Sequence, residues 1–115
     1  MDQPERETLG DQVVVDGHPR QVEINPRSGQ FEVHVGEHVG FLTFYTKNGA
    51  LALNHTEVPP ALRGKGVGEV LAQAALNYAR DRGLQVKPYC PFVAAFIKRH
   101  AEYRPLVHPE FSGAA

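Results

Sequence analysis

One glycine-rich stretch combines the residue types that bind phosphate groups. It consists of three glycines, two cations and a valine, in the order Arg63, Gly64, Lys65, Gly66, Val67 and Gly68. A glycine has no Cβ, so a ligand can approach its backbone N–H closely. An amphipathic helical pattern begins at Val67, and the first N–H groups of a helix are unpaired and lie at the positive end of its dipole. The stretch therefore predicts a site for phosphate or pyrophosphate.

The spacing of these glycines separates the stretch from two other phosphate motifs. The P-loop pattern G-x-x-x-x-G-K-[ST] is absent. A dinucleotide fingerprint also fits poorly, because the glycines run G-x-G-x-G and no acidic residue ends the next apolar segment, 84–87. The alternative is a loop whose glycines only allow a helix to pack tightly on a sheet.

Cys90 is the only cysteine, and it directly precedes Pro91. Proline suits the first position of a helix, so Cys90 is expected at a helix start. A helix dipole stabilises a thiolate there, and Lys87 adds a nearby positive charge. Such a thiolate could act as a nucleophile or as a base. The alternative is a buried cysteine that packs as a small hydrophobic residue.

His55 and Glu57 are two residues apart in a predicted strand, so their side chains point to the same face. They lie at the end of the strand that leads into the glycine-rich stretch. Glu57 could act as a general base towards an amine if burial makes it more basic. The alternative is a hydrogen-bonded pair of strand residues without a chemical role.

The hydrophobic pattern predicts elements that would place these residues together. Alternating apolar and polar residues, with turns at Gly36-Glu37 and Asn48-Gly49, indicate an antiparallel meander of three strands. A strand–helix–strand unit with a parallel last strand and then a second helix should follow. The expected strands are 31–35, 38–46, 50–58 and 84–87, and the expected helices are 67–82 and a segment from about 90.

The ends of the chain are less regular. Residues 1 to about 11 read as a polar tail, 13–15 as a short strand turned at Asp16-Gly17, and 21–24 as its partner. Residues 106–115 read as a short tail. We therefore expect an N-terminal extension at 1–29, partly mobile, a domain at 30–107 and a C-terminal tail at 108–115.

Composition limits the function classes. The 115 residues are 42% hydrophobic, which suits one globular domain, and the net charge of -1 argues against a nucleic-acid surface. No apolar run could span a bilayer and no signal core is seen, so we expect a soluble, cytoplasmic protein. One cysteine excludes an internal disulfide and a cysteine zinc cluster, and six histidines without ligand spacing give no support for a metal site. The oligomeric state stays open.

The pattern Arg-x-x-Gly-x-Gly, carried by Arg63, Gly66 and Gly68, resembles the coenzyme A pyrophosphate loop of the GNAT acyltransferase superfamily. The resemblance spans about 31–107 and leaves out the first thirty residues. Three further stretches are similar to small YjdJ-type members of the superfamily: His55-Thr56-Glu57-Val58-Pro59, Lys87-Pro88-Tyr89-Cys90-Pro91-Phe92-Val93 and Arg99-His100-Ala101-Glu102-Tyr103.

This resemblance implies an α/β protein with a minimal GNAT fold. The sheet of such a fold splays after the third meander strand and takes acetyl-CoA into the gap. The backbone at Glu57 and Val58 would bind the pantetheine arm, and the stretch from Arg63 to Gly68 would hold the pyrophosphate. The implied function is an acetyl-CoA-dependent N-acetyltransferase acting on an amine, either a small molecule or a protein, that the sequence does not identify.

For catalysis, the resemblance implies Glu57 as the base, with His55 beside it, and Cys90 as a suspected catalytic residue. Larger relatives carry a tyrosine general acid in the last helix, where this chain has Ile97. Tyr89 and Tyr103 are the candidates to replace it. Two other functions stay open, namely a non-catalytic coenzyme A-binding module or sensor, and a nucleotide-binding α/β domain that is no transferase.

Overall fold

The computed structural model describes residues 6–114, and the side chains up to residue 111, as one six-stranded sheet with two α-helices on it. The strands follow sequence order across the sheet and are β1 Glu7–Val15, β2 His18–Asn25, β3 Gln30–Val35, β4 His38–Lys47, β5 Ala50–Glu57 and β6 Gln85–Pro88. The helices are α1 Val67–Asp81 and α2 Pro91–Arg99, and three 3-10 turns lie at Pro60–Leu62, Ala101–Leu106 and Pro109–Ala114. No helix in this part of the chain is long and apolar enough to cross a membrane.

The sheet confirms the predicted meander and the parallel last strand. Strands β1 to β5 pair antiparallel, and β6 lies parallel to β5 with α1 as the crossover. The β4–β5 hairpin turns at Asn48 and Gly49, which both have positive φ, of 52° and 76°. Two successive left-handed residues suit the twist of a two-residue hairpin, and asparagine and glycine reach that region at the lowest cost.

The first hairpin corrects the predicted N-terminal tail. Strand β1 begins at Glu7, so the expected polar tail is wrong from that residue onward, while residues 1–5 lie outside the described part. Asp11, within the expected tail, accepts hydrogen bonds of 2.9 Å from the side chains of Gln73 and Asn77 on α1. Polar side chains of β1 therefore contact α1 or face water, and most of its few apolar side chains pack in or against the core.

Both helices share one buried core with the sheet. The Phe31 ring packs against Phe44 at 4.9 Å and Tyr78 of α1 at 5.5 Å between ring centroids. Each large apolar side chain buried in this way contributes on the order of 1.5–3 kcal/mol. Others in the same core are Leu42, Leu51, Leu53, Leu71, Leu76, Val93, Phe96 and Ile97.

Strand β5 continues past its neighbour and leaves an unpaired edge. Its last partner on β6 is Pro88, opposite Leu53, so the edge of β5 from residue 54 to Glu57 faces no strand on that side. On the other side of β5, the start of α1 rests directly on β4, since a Cβ at Gly40 would lie 2.7 Å from Val67 Cγ1. The unpaired end of β5 lies next to the glycine-rich stretch, since Thr56, Glu57 and Gly68 line one cavity.

The C-terminal segment is more ordered than a tail. Val107 forms a parallel bridge with Val86, and the His108 N–H donates a 2.8 Å hydrogen bond to the Val86 carbonyl. The segment predicted as a short tail from Leu106 thus packs along β6. Val86 and Val107 are far apart in the sequence, so no local sequence pattern predicts their contact.

Candidate functional site

The glycine-rich stretch forms an open helix start. Gly64 and Gly66 have φ of 76° and 84°, a left-handed conformation that favours glycine. Gly66 is the N-cap of α1 and carries no side chain to cap it, and its carbonyl accepts the Val70 N–H at 3.1 Å. The backbone N–H groups of the first turn are therefore left without a side-chain partner, as an anion site requires.

Two adjoining cavities lie in front of this helix start. The first, of about 420 Å³, is lined by Val58, Leu62, Arg63, Gly64, Gly66, Val67, Gly68, Glu69 and Phe92. The second, of about 360 Å³, is lined by Thr56, Glu57, Val58, Arg63, Gly68 and Phe92. Because the cavities share four residues, we describe them together as the groove. Every predicted cofactor-binding residue lines it except Lys65.

Both cations of the stretch already have partners within the protein. Lys65 Nζ lies 3.5 Å from Asp16 Oδ1, at the tip of the first hairpin. Arg63 Nε donates a 3.1 Å hydrogen bond to the Val58 carbonyl. The hairpin thus holds one side of the stretch, and Arg63 covers the carbonyl at which we expected the pantetheine arm.

Gly68 has a different reason to be glycine. It lies in the first turn of α1, and a Cβ there would lie 3.0 Å from Phe92 Cζ. Close packing therefore explains Gly68, but against helix α2 and not against the sheet as considered from the sequence, whereas the left-handed backbone explains Gly66.

His55 and Glu57 form a hydrogen-bonded pair at the mouth of the groove. His55 Nε2 lies 2.8 Å from Glu57 Oε1, and their side chains are 62% and 51% exposed. The shared face predicted for them is confirmed. The burial that we attached to Glu57 as a base is not found.

Cys90 lies at the start of α2, as predicted, but its side chain is buried. The residue is 3% exposed, and its Sγ lies 3.3 Å from Thr56 Oγ1. Its N–H donates to the Leu53 carbonyl at 2.9 Å. Lys87, expected to assist the thiol, instead pairs with Glu110 at 3.4 Å. The structure therefore gives the thiol neither the access nor the cation that a nucleophile needs.

Comparison with known proteins identifies the family. Residues 30–106 match the GCN5-related N-acetyl-transferase family. The chain belongs to this family. It is 33% identical over 87 residues to Protein NATD1 from Bos taurus, covering 73% of this chain and 77% of that protein. Protein NATD1 from Danio rerio is 29% identical over 94 residues, covering 79% of this chain and 80% of that protein.

The helical pattern placed Glu69, which lines the groove, only on the polar face of α1. Three further groove residues of this N-acetyltransferase-family chain were also missed from the sequence. Thr56 was passed over, although its place between His55 and Glu57 puts it on the opposite face of β5. Phe92 was interpreted as core, and Leu62 was not considered. Strand alternation could have found Thr56, whereas the other two depend on how α1, α2 and the 3-10 turn meet.

The tyrosines proposed to replace the missing general acid are not in the groove lining. Tyr103 is 6% exposed and donates a 2.8 Å hydrogen bond to Asn77 on α1. Burial, with nearby Glu102 and Asp11, raises the pKa of Tyr103 in spite of the Arg80 charge. Tyr89 packs edge-on against Phe111 and lines a separate cavity. Neither is placed to return a proton in the groove.

A second charged cluster lies on strands β2 and β3. Side-chain ligand atoms of Glu23, Glu32 and His34 lie within 4.8 Å of one another. Arg6 Nε enters this cluster, 3.1 Å from Glu32 and 3.5 Å from Glu23, which makes it an ion-pair network. Burial raises the pKa of Glu32, but hydrogen bonds and charges from His34 and Arg6 outweigh it and hold the pKa below its usual value. The cluster could not be found from sequence spacing, because Arg6 lies just before β1, Glu23 lies on β2, and Glu32 and His34 lie on β3.

Proposed function

We propose that this protein is an acetyl-CoA-dependent N-acetyltransferase that moves an acetyl group to an amine. The observation that supports it most directly is the groove, which joins the open start of α1 to the His55–Glu57 pair at the end of β5. Membership of the N-acetyltransferase family supports the reaction class. The amine acceptor is a small molecule or a protein side chain.

The groove fits coenzyme A in its chemistry. The first-turn N–H groups of α1, next to a glycine N-cap, suit a pyrophosphate. Val58, Leu62 and Phe92 offer apolar walls for the thiol-bearing arm, and the unpaired edge of β5 from residue 54 to Glu57 offers backbone hydrogen-bonding groups. For the arm to bind the Val58 carbonyl, Arg63 must release it, and the freed guanidinium would then be available to the phosphates.

Acetyl-CoA supplies a thioester as the acyl donor, and the protein must position the amine and remove its proton. We assign proton removal to the His55–Glu57 pair. With Nε2 of His55 donating to Glu57, the other ring nitrogen, Nδ1, can take a proton from the ammonium group of the acceptor. The neutral amine then attacks the thioester carbonyl, the C–S bond breaks, and coenzyme A leaves as its thiolate. The carboxylate then stabilises the imidazolium that forms. Cys90 stays a predicted nucleophile, but its burial makes this pair the better candidate.

The test is turnover of acetyl-CoA with a panel of primary amines, followed as release of free thiol. His55→Gln and Glu57→Gln should each lower kcat by about 10²-fold or more, the usual loss on removing a general base. Both should keep coenzyme A affinity within a few-fold. His38→Gln, an exposed histidine at the start of β4, is the matched control and should keep full activity. Full activity in both pair variants would refute the assignment.

A non-catalytic coenzyme A-binding module is the second candidate. It is favoured by the exposure of the pair, 62% and 51%, and by the position of Tyr89 and Tyr103 away from the groove lining. The same panel separates the two functions. Tight coenzyme A binding with no thiol release for any amine would establish the binding module. If the protein neither binds coenzyme A nor releases thiol, both functions are refuted.

A further inference from the structure

A separate cavity of about 250 Å³ lies at the opposite end of β5 from the groove. Ala50 and Glu57 are seven residues apart on this strand, which corresponds to about 23 Å. The cavity is lined mainly by three neighbouring strands and their ends, through Tyr45, Lys47, Ala50, Ala52, Lys87 and Tyr89. We call it the trough. No residue of the groove lining contributes to it.

The register of the strands explains its shape. Tyr45 lies opposite Ala52 and Lys47 opposite Ala50, while Ala52 is also opposite Lys87 on the other side. Directly opposed residues share one face of a sheet. Two small alanines on β5 thus form a floor between walls of long side chains, and both walls carry one lysine and one tyrosine.

The protein's own C-terminal segment already occupies the β6 wall. Glu110 Oε1 lies 3.4 Å from Lys87 Nζ. The adjacent Phe111 ring packs edge-on against Tyr89, with 5.1 Å between ring centroids and an interplanar angle of 89°. An acidic residue followed by an aromatic one therefore fits a lysine followed by a tyrosine.

The β4 wall presents the same two groups without such a partner. Within the described residues, Lys47 has no ion pair and Tyr45 has no ring contact, and Tyr45 is 50% exposed. Strand β4 runs antiparallel to β5, so Lys47 comes before Tyr45 in the direction of β5. Strand β6 runs parallel to β5, so Lys87 comes before Tyr89 in the same direction. The free wall repeats the occupied one in composition and direction.

We propose that the trough binds an acidic–aromatic peptide segment of a partner protein. Its carboxylate binds Lys47, and the aromatic side chain that follows packs on Tyr45. An ion pair and an edge-to-face ring pair are the two contacts that the protein makes with its own Glu110 and Phe111. This site is independent of acetyl transfer, because none of its residues lines the groove.

The test uses the capped dipeptide acetyl-Glu-Phe-amide, titrated into the full ¹⁵N-labelled chain and followed by NMR. Backbone amides of residues 45–52 should shift, and acetyl-Gln-Phe-amide and acetyl-Glu-Ala-amide should each bind about ten-fold more weakly. Lys47→Gln and Tyr45→Ser should weaken acetyl-Glu-Phe-amide by a similar factor. Lys98→Gln, which removes an exposed lysine on α2, is the control and should leave the affinity unchanged.

Four results would overturn the proposal. These are no shift, shifts confined to residues outside the trough, equal binding of all three dipeptides, and the same shifts with inorganic phosphate alone. The last would indicate a simple anion site without selection for an aromatic neighbour. The coenzyme A affinity of Lys47→Gln, measured in parallel, should equal that of the unmodified protein.

Discussion

The Phe92 ring lies against Gly68, so that a Cβ at position 68 would be 3.0 Å from Cζ and 3.3 Å from Cε2. This contact joins the first turn of α2 to the first turn of α1 across the groove. Phe92 is half-buried and lines both cavities, so it can move only by changing the shape of the groove.

Gly68→Ala should therefore affect binding more than stability. Alanine is favoured over glycine in a helix by about 1 kcal/mol, which offsets the steric contact, so the free energy of unfolding should change by less than about 1 kcal/mol. Coenzyme A affinity should fall about ten-fold as the ring moves into the groove. Calorimetric titration measures this fall. In a Phe92→Leu background the same substitution should have a smaller effect, and equal effects in both backgrounds would rule out the contact as the cause.

Gly66→Ala should cost both stability and binding. A non-glycine residue at φ of 84° loses about 1–2 kcal/mol, and the N-cap amides next to it would be displaced. Gly83→Ala is the matched control, because Gly83 has φ of 68° with open space around its Cβ position and follows the other end of α1. Urea denaturation should give similar losses for both variants. Coenzyme A affinity should fall only for Gly66→Ala, and an equal fall for both would place the phosphates elsewhere.

Cys90 should react slowly with alkylating reagents in the native protein, because only 3% of the residue is exposed. Cys90→Ala should keep acetyl transfer and coenzyme A affinity within a few-fold, and should lose about 1 kcal/mol of stability for the smaller buried side chain. Mass spectrometry of the alkylated protein gives the rate, with urea-unfolded protein as the fast reference. Rapid native alkylation that acetyl-CoA blocks would restore Cys90 as the nucleophile.

The Glu32 network should make stability depend on acid pH. Because the pKa of Glu32 is lowered from 4.5, the unfolded chain binds its proton more tightly than the native protein does. Its contribution is therefore complete above 4.5 and is lost as the pH falls through the lower native value. Denaturation at several pH values between about 7 and 3 should show this slope.

Glu32→Gln should flatten that slope and lower stability at neutral pH by about 1–3 kcal/mol, since Arg6 and His34 lose a buried partner. Glu37→Gln, in the exposed turn between β3 and β4, is the control and should leave the slope intact. An unchanged slope in Glu32→Gln would assign the acid sensitivity to other carboxylates.

Local sequence signals determined most of the fold. Three signals each act over a few residues and could therefore be recognised in the sequence. They are the alternation of apolar and polar residues in the strands, the Asn48-Gly49 turn, and the helical spacing of apolar residues from Val67 to Asp81. The start of β1 was missed because its apolar residues are few and its pairing with β2 is stabilised partly by Asp11, which contacts Gln73 and Asn77 far along the chain.

The candidate site divides in the same way. The sequence by itself determined the glycine loop, the helix start and the shared face of His55 and Glu57, because each follows from residue type and short spacing. Only the tertiary structure decided that Cys90 is buried against Thr56, that Phe92 fills the space beside Gly68, and that Lys87 lines the trough. Those outcomes depend on which helix packs on which strand, and packing between distant segments leaves no periodic signal in the chain.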